Sequence, residues 1–181
     1  MNNNHRHLHT IVALVQDHPG VLTRISSMFR RRGFNIASLA VGKSETAGLS
    51  RMTFVVDSDQ DYVVEQVTKQ LRKVIEVVKV LDLSNEDIVA RELALIKVKA
   101  PSAAARAEVI QVVELFRAKI VDVASDSVTI EVTGDEEKIA SILTLLGGFG
   151  VLEVMRTGRV AVARGRKTPL KPASATTKAG R

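Results

Sequence analysis

Hydrophobic positions in this chain switch between two spacings, and the switching recurs. Leu8 to Val15 is a short β-branched run bounded by an Asp-His-Pro-Gly turn, which predicts a buried central strand. Val21, Ile25, Met28, Phe29 and Arg32 then fall at helical spacing, turning the apolar members to a core and leaving Arg24, Arg30 and Arg31 in water. Asp17 is placed to cap that helix through its carboxylate, and Pro19 with Gly20 bends the backbone into it. The unpaired amides of the first turn then face outward, where they can hold a small anion. Gly33 takes the left-handed position that ends a helix.

Phe34 to Lys43 and Leu49 to Val56 alternate at period two around a polar loop with Gly48, which predicts a hairpin. Ser58 with Asp61 reads as a capping signature for a helix carrying Val63, Val67 and Leu71, and Val74 to Leu83 reads as a last strand. Strand, helix, strand, strand, helix, strand is the ferredoxin-like order, an antiparallel sheet with two helices on one face.

After a polar connector at 84–90 the order begins again. Leu93 to Val98 predicts a strand, and Pro101 opens a helix with Val109, Val112, Val113 and Phe116 on one side. Phe29-Arg30 recurs as Phe116-Arg117, and Phe34-Asn35-Ile36 as Val121-Asp122-Val123 at the same offset. Thr53 to Val56 corresponds to Thr129 to Val132, with Thr133 and Glu136 as the cap of a helix burying Ile139, Ile142, Leu143 and Leu146. Val151 to Met155 closes the second copy, and Arg159 to Ala163 adds an edge strand. The fold class is therefore α+β, two tandem ferredoxin-like domains at 8–83 and 91–164, with frayed residues 1–7 and a disordered tail at 165–181.

Composition changes this picture little. At 181 residues the chain has room for one domain or two small ones, its 45% hydrophobic residues are enough to fill a core, and no apolar run approaches the roughly 20 residues of a membrane span. No apolar block with a cleavage site follows the first methionine, so export is not expected. Cysteine is absent, which removes disulfides and thiol chemistry. The net charge of +6 suggests nucleic acid until its location is considered. Arg166, Lys167, Lys171, Lys178 and Arg181 supply five of those charges in the tail, leaving +1 for the rest.

Catalysis has little to stand on: there is no phosphate-binding glycine loop, nucleophile elbow or plausible pair of catalytic carboxylates. His5, His7 and His9 would share one face of an early strand, but no acidic or cysteine partner lies near to complete a metal site. Asp57, Asp59 and Asp61 begin like a calcium loop without its glycine and closing glutamate, and read as acids favoured at a helix start. A common RNA-binding module shares this element order but needs aromatic rings on its central strands. Here only Phe54 is available.

Asp-His-Pro-Gly-Val-Leu-Thr-Arg-Ile at 17–25, Arg-Arg-Gly-Phe-Asn-Ile at 31–36 and Ser-Leu-Ala-Val-Gly at 38–42 resemble an ACT domain, the small-molecule regulatory module. Ser50-Arg51-Met52-Thr53, Lys69-Gln70-Leu71, Arg91-Glu92-Leu93, Lys97, Glu153, Arg156-Thr157-Gly158 and Arg164-Gly165 narrow the likeness. From about Leu8 to Gly165, the chain resembles the regulatory small subunits of acetolactate synthase.

The resemblance implies a cytoplasmic, non-catalytic chain of branched-chain amino acid biosynthesis. It would form a homodimer, bind and activate a catalytic large subunit, and confer feedback inhibition by valine. It implies no cofactor here, with thiamine diphosphate, Mg and FAD held by the large subunit, and no nucleic acid or membrane partner. The effector site implied lies between two paired first domains, formed by Asp17, His18, Pro19, Gly20, Val21 and Leu22 of the turn with Asn35 and Ile36. An amino acid's carboxylate suits the amides at Gly20 to Leu22, and Asn35 both donates and accepts. Asp17 stands where many members carry Asn. It keeps acceptors but loses a donor and repels a carboxylate, which leaves leucine and isoleucine open as effectors. Arg30 to Arg32 and the hairpin at Lys43 to Arg51 are the candidate surfaces for the large subunit. A free-standing amino-acid sensor that regulates transcription or another enzyme remains the competing reading of the residues.

Overall fold

The computed structural model describes residues 8–165 and Leu170. The chain divides into two compact units, one reaching to Val89 and taking in the segment from Ala161, the other Ala90–Val160.

The first unit contains β1 (Leu8–Gln16), α1 (Val21–Arg32), β2 (Ile36–Lys43), β3 (Leu49–Asp57), α2 (Asp61–Leu71) and β4 (Val77–Asp82). Its sheet is antiparallel with order β2-β3-β1-β4, so the β-branched run is a central strand as expected. Ile11, Ala13 and Val15 point to the helices and pack with Val21, Ile25, Met28 and Phe29 of α1 and Val64, Val67 and Leu71 of α2. Phe54 belongs to this core, its ring stacked 5.3 Å from that of Phe29, so β3 offers no aromatic to an incoming base. The opposite, helix-free face is also buried: Val12, Leu14 and Val55 are each at most 2% exposed. On that face the Arg51 guanidinium donates to the Ala161 carbonyl at 2.9 Å. Its burial holds the group below its ordinary pKa, with Glu45 acting in the opposite sense.

The second unit repeats the order with β5 (Ile88–Lys99), α3 (Ala103–Leu115), β6 (Lys119–Val123), β7 (Ser127–Gly134), α4 (Glu136–Gly147) and β8 (Val151–Arg156). Strand order is β6-β7-β5-β8, and β9 (Val160–Ala163) pairs with β5. Ala94, Ile96 and Val98 turn inward against Val109 and Val113 of α3 and Ile139, Ile142 and Leu146 of α4. β5 starts at Ile88, inside the 84–90 stretch read as a connector, because Ile88 and Val89 prolong the β-branched pattern. Glu92-Leu93 and Arg156-Thr157 meet at one end of this sheet. Arg156 bonds the buried Glu92 carboxylate; the Thr157 N–H donates to the Leu93 carbonyl at 3.0 Å, and the Leu93 N–H donates to the Thr157 hydroxyl oxygen at 3.1 Å.

Helix starts differ from their sequence signatures. Gly20 is the N-cap of α1, and no side chain caps it, so Asp17 does not serve as the cap; the Pro19-Gly20 turn intervenes. Gln60 is the N-cap of α2. Ser58 instead closes the turn before it, accepting from the Gln60 N–H at 3.1 Å. For α4 the cap is Asp135, accepting from Lys138 N–H at 2.9 Å, because Thr133 still lies in β7. Gly33 ends α1 with φ 68°, as expected. Residues 1–7, with His5 and His7, and nearly all of the tail lie outside the described residues.

Candidate functional site

Asp17, His18, Pro19 and Gly20 form an exposed turn where β1 hands over to α1. Its base is pinned on both sides. Gln16 N–H donates to the Glu76 carbonyl and Asp17 N–H to the Gly48 carbonyl, both at 2.9 Å. His18 stays over the turn, Nδ1 3.0 Å from the Pro19 carbonyl and Nε2 3.2 Å from Gln16 Oε1. Gly20 adopts φ 90°, a left-handed conformation that L side chains rarely take, and its carbonyl accepts from Arg24 N–H at 3.0 Å. The first intrahelical bond is thus made while the leading amides keep their outward direction. With no side-chain cap, that first turn presents a partial positive charge and unspent donors. Val21 is buried under it and Leu22 is half exposed beside it.

Glu76 brackets this turn. Besides its carbonyl on Gln16, its carboxylate meets Arg24 at 2.7 Å, while Oε2 is buried and has no partner among the described residues. Reading Val74 to Leu83 as a strand gives Glu76 no role. Its signal was a single carboxylate inside the run Val74-Ile75-Glu76-Val77-Val78, where a buried charge requires a cation nearby.

Asn35 and Ile36 lie elsewhere. Asn35 is exposed between the Gly33 cap and β2, and Ile36 is half-buried at the start of that strand. Pairing sets Ile36 against Val56 and Gln16 against Leu49, seven residues apart along β3. At about 3.3 Å per residue the turn and Asn35 sit at opposite ends of one sheet, roughly 23 Å apart. Within one chain the expected site residues therefore form two separate groups, each on the surface.

The candidate docking residues also separate. Arg30, Arg31 and Arg32 are exposed on the last turn of α1. In the hairpin Lys43 is exposed, whereas the Arg51 guanidinium is engaged with Ala161. Among the described residues no group of His, Cys, Asp and Glu is arranged to hold a metal ion, and no helix is long and apolar enough to cross a membrane.

Two ferredoxin-like units, the first opening on an uncapped glycine turn, define an ACT-type regulatory chain. Comparison with known proteins places it further. Residues 11–79 match the AHAS small subunit-like ACT domain, and residues 91–165 match the family described as the small subunit of acetolactate synthase. The acetolactate synthase small subunit of Mycolicibacterium smegmatis is 52% identical over 157 residues, covering 87% of this chain and 91% of that one. That of Aquifex aeolicus is 51% identical over 156 residues, covering 86% of this chain and 81% of the relative. The crystal structure of the small subunit from Thermotoga maritima superposes with a TM-score of 0.80 at 43% identity, covering 88% of this chain and 99% of that chain. The chain belongs to the acetolactate synthase small subunit family.

Proposed function

We propose that this chain activates the catalytic large subunit of acetolactate synthase and makes it sensitive to feedback by valine, bound where two copies pair through their first units. The observation that carries the reading is the open start of α1: outward amides, Gly20 at φ 90° and no side-chain cap. They suit a ligand carboxylate. Because Asn35 lies at the far end of the same sheet, a homodimer with antiparallel first sheets is the arrangement that sets the turn of one copy beside Asn35 and Ile36 of the other. Asp17, exposed in the turn, then faces the ligand's ammonium. The chain itself is non-catalytic and cytoplasmic in this reading, and thiamine diphosphate, Mg and FAD act in the large subunit.

Regulation follows as a population shift. Valine ties the two copies together across the pairing line and favours one arrangement, which the large subunit reads. A coupling of about 1 to 3 kcal/mol is typical for such an effect. Acetolactate formation by a matching large subunit, with and without this chain and with and without millimolar valine, tests it. Activation by the chain and suppression by valine are expected, with Gly20→Asp and Asn35→His both escaping suppression while still activating. No activation would make the free-standing sensor the better account. Activation without a valine response would point to leucine or isoleucine as effector.

A further inference from the structure

The helix-free face of the second sheet carries a depression of about 240 Å³ lined by Leu95, Lys97, Thr129, Glu153 and Met155. Strand register explains how five residues from three strands meet there. Lys97 lies between Thr129 and Glu153, and Leu95 is paired with Met155 in the next row. Facing residues of adjacent strands share a side of the sheet, with Cβ atoms about 5 Å apart. The floor therefore sets one cation and one anion next to each other, with an apolar strip alongside.

Among the described residues neither Lys97 nor Glu153 is held in an ion pair, although both sit in a unit whose Arg156 and Arg159 are paired. Met155 is 65% exposed, so the depression opens to solvent. A simple anion drawn to Lys97 would meet the Glu153 carboxylate, and a simple cation would meet Lys97. A molecule bearing both charges on one carbon satisfies both groups at once, and an exposed cross-strand pair yields little when left to itself.

We propose that this depression binds a small zwitterionic amino acid with an apolar side chain. The Lys97 ammonium donates to its carboxylate, the Glu153 carboxylate accepts from its ammonium, and Leu95 and Met155 cover its side chain. The Thr129 hydroxyl serves as a further polar contact. This site is separate from the glycine turn of the first unit and does not depend on it.

Met155 reports on the site directly. In the full chain labelled at its methionine methyl groups, L-valine is titrated while the Met155 signal is followed by NMR, with the core residues Met28 and Met52 as internal references. We expect a saturable shift of Met155 with a dissociation constant on the order of 1 mM, as befits a ligand covered on one side only. The shift should be absent with 3-methylbutanoate, which lacks the ammonium, and with isobutylamine, which lacks the carboxylate. Lys97→Met and Glu153→Gln should each abolish it without moving Met28 or Met52, whereas Gly20→Asp should leave it in place. An unmoved Met155, equal shifts with all three compounds, or a shift that survives both Lys97→Met and Glu153→Gln would overturn the proposal. So would variants that weaken activation of the large subunit with no ligand-induced shift, which would mark the face as a docking surface.

Discussion

The two units start their first helices in different ways. α1 begins at Gly20 with φ 90° and leaves its leading amides without a side-chain acceptor. α3 begins at Ser102 in extended backbone, and the Ser102 hydroxyl takes the Ala105 N–H at 3.1 Å. The fourth residue past each cap is an arginine with a different task. Arg24 reaches sideways to Glu76, while Arg106 folds back onto the carbonyls of Ala124 and Ser125 at 3.1 and 3.0 Å. One helix start is closed by its own side chain; the other leaves its leading amides without a side-chain acceptor. A duplicated fold thus carries one open and one capped helix start without any change of topology.

That contrast can be broken from either side. Arg106→Met should have the largest effect on stability, because charged hydrogen bonds to three carbonyls disappear together: about 2 kcal/mol, read by denaturant unfolding, with the valine response unchanged. Gly20→Ala adds a Cβ that meets nothing within 4 Å, so its cost is conformational alone. About 1.5 kcal/mol is expected from the left-handed backbone, together with a weaker valine response in the acetolactate assay. Ser102→Ala removes one cap for about 1 kcal/mol. It should lower the melting temperature by a few degrees and leave the effector response intact. If Ser102→Ala altered valine sensitivity, the second helix start would not be the silent one.

Most of the architecture was legible because it rests on periodicity. The stripe Val21, Ile25, Met28, Phe29 faces the core, and the alternation of β5 sends Ala94, Ile96 and Val98 inward. Caps were less legible. Asp17, Ser58 and Thr133 are all good capping residues, but a helix start is fixed by the turn that precedes it, and each of these side chains sits outside that position. Gly20 was visible as the centre of a turn, though not as an N-cap. Arg106 gave no local sign, because the carbonyls it binds belong to a loop eighteen and nineteen residues away. The separation of Asn35 from the turn was equally hidden. It follows from strand register, which becomes readable only once β2 and β3 are paired.

β1 holds bonds to β3 along its whole length and to β4 on its other side, and it is buried on both faces from Thr10 to Val15. Its amides should be among the slowest of the first unit to exchange with solvent deuterium. The glycine turn grows directly from the end of this strand, with Gln16 and Asp17 already tied to Glu76 and Gly48. A ligand arriving there has little backbone left to freeze, so what it gains in contacts is not spent on ordering its host.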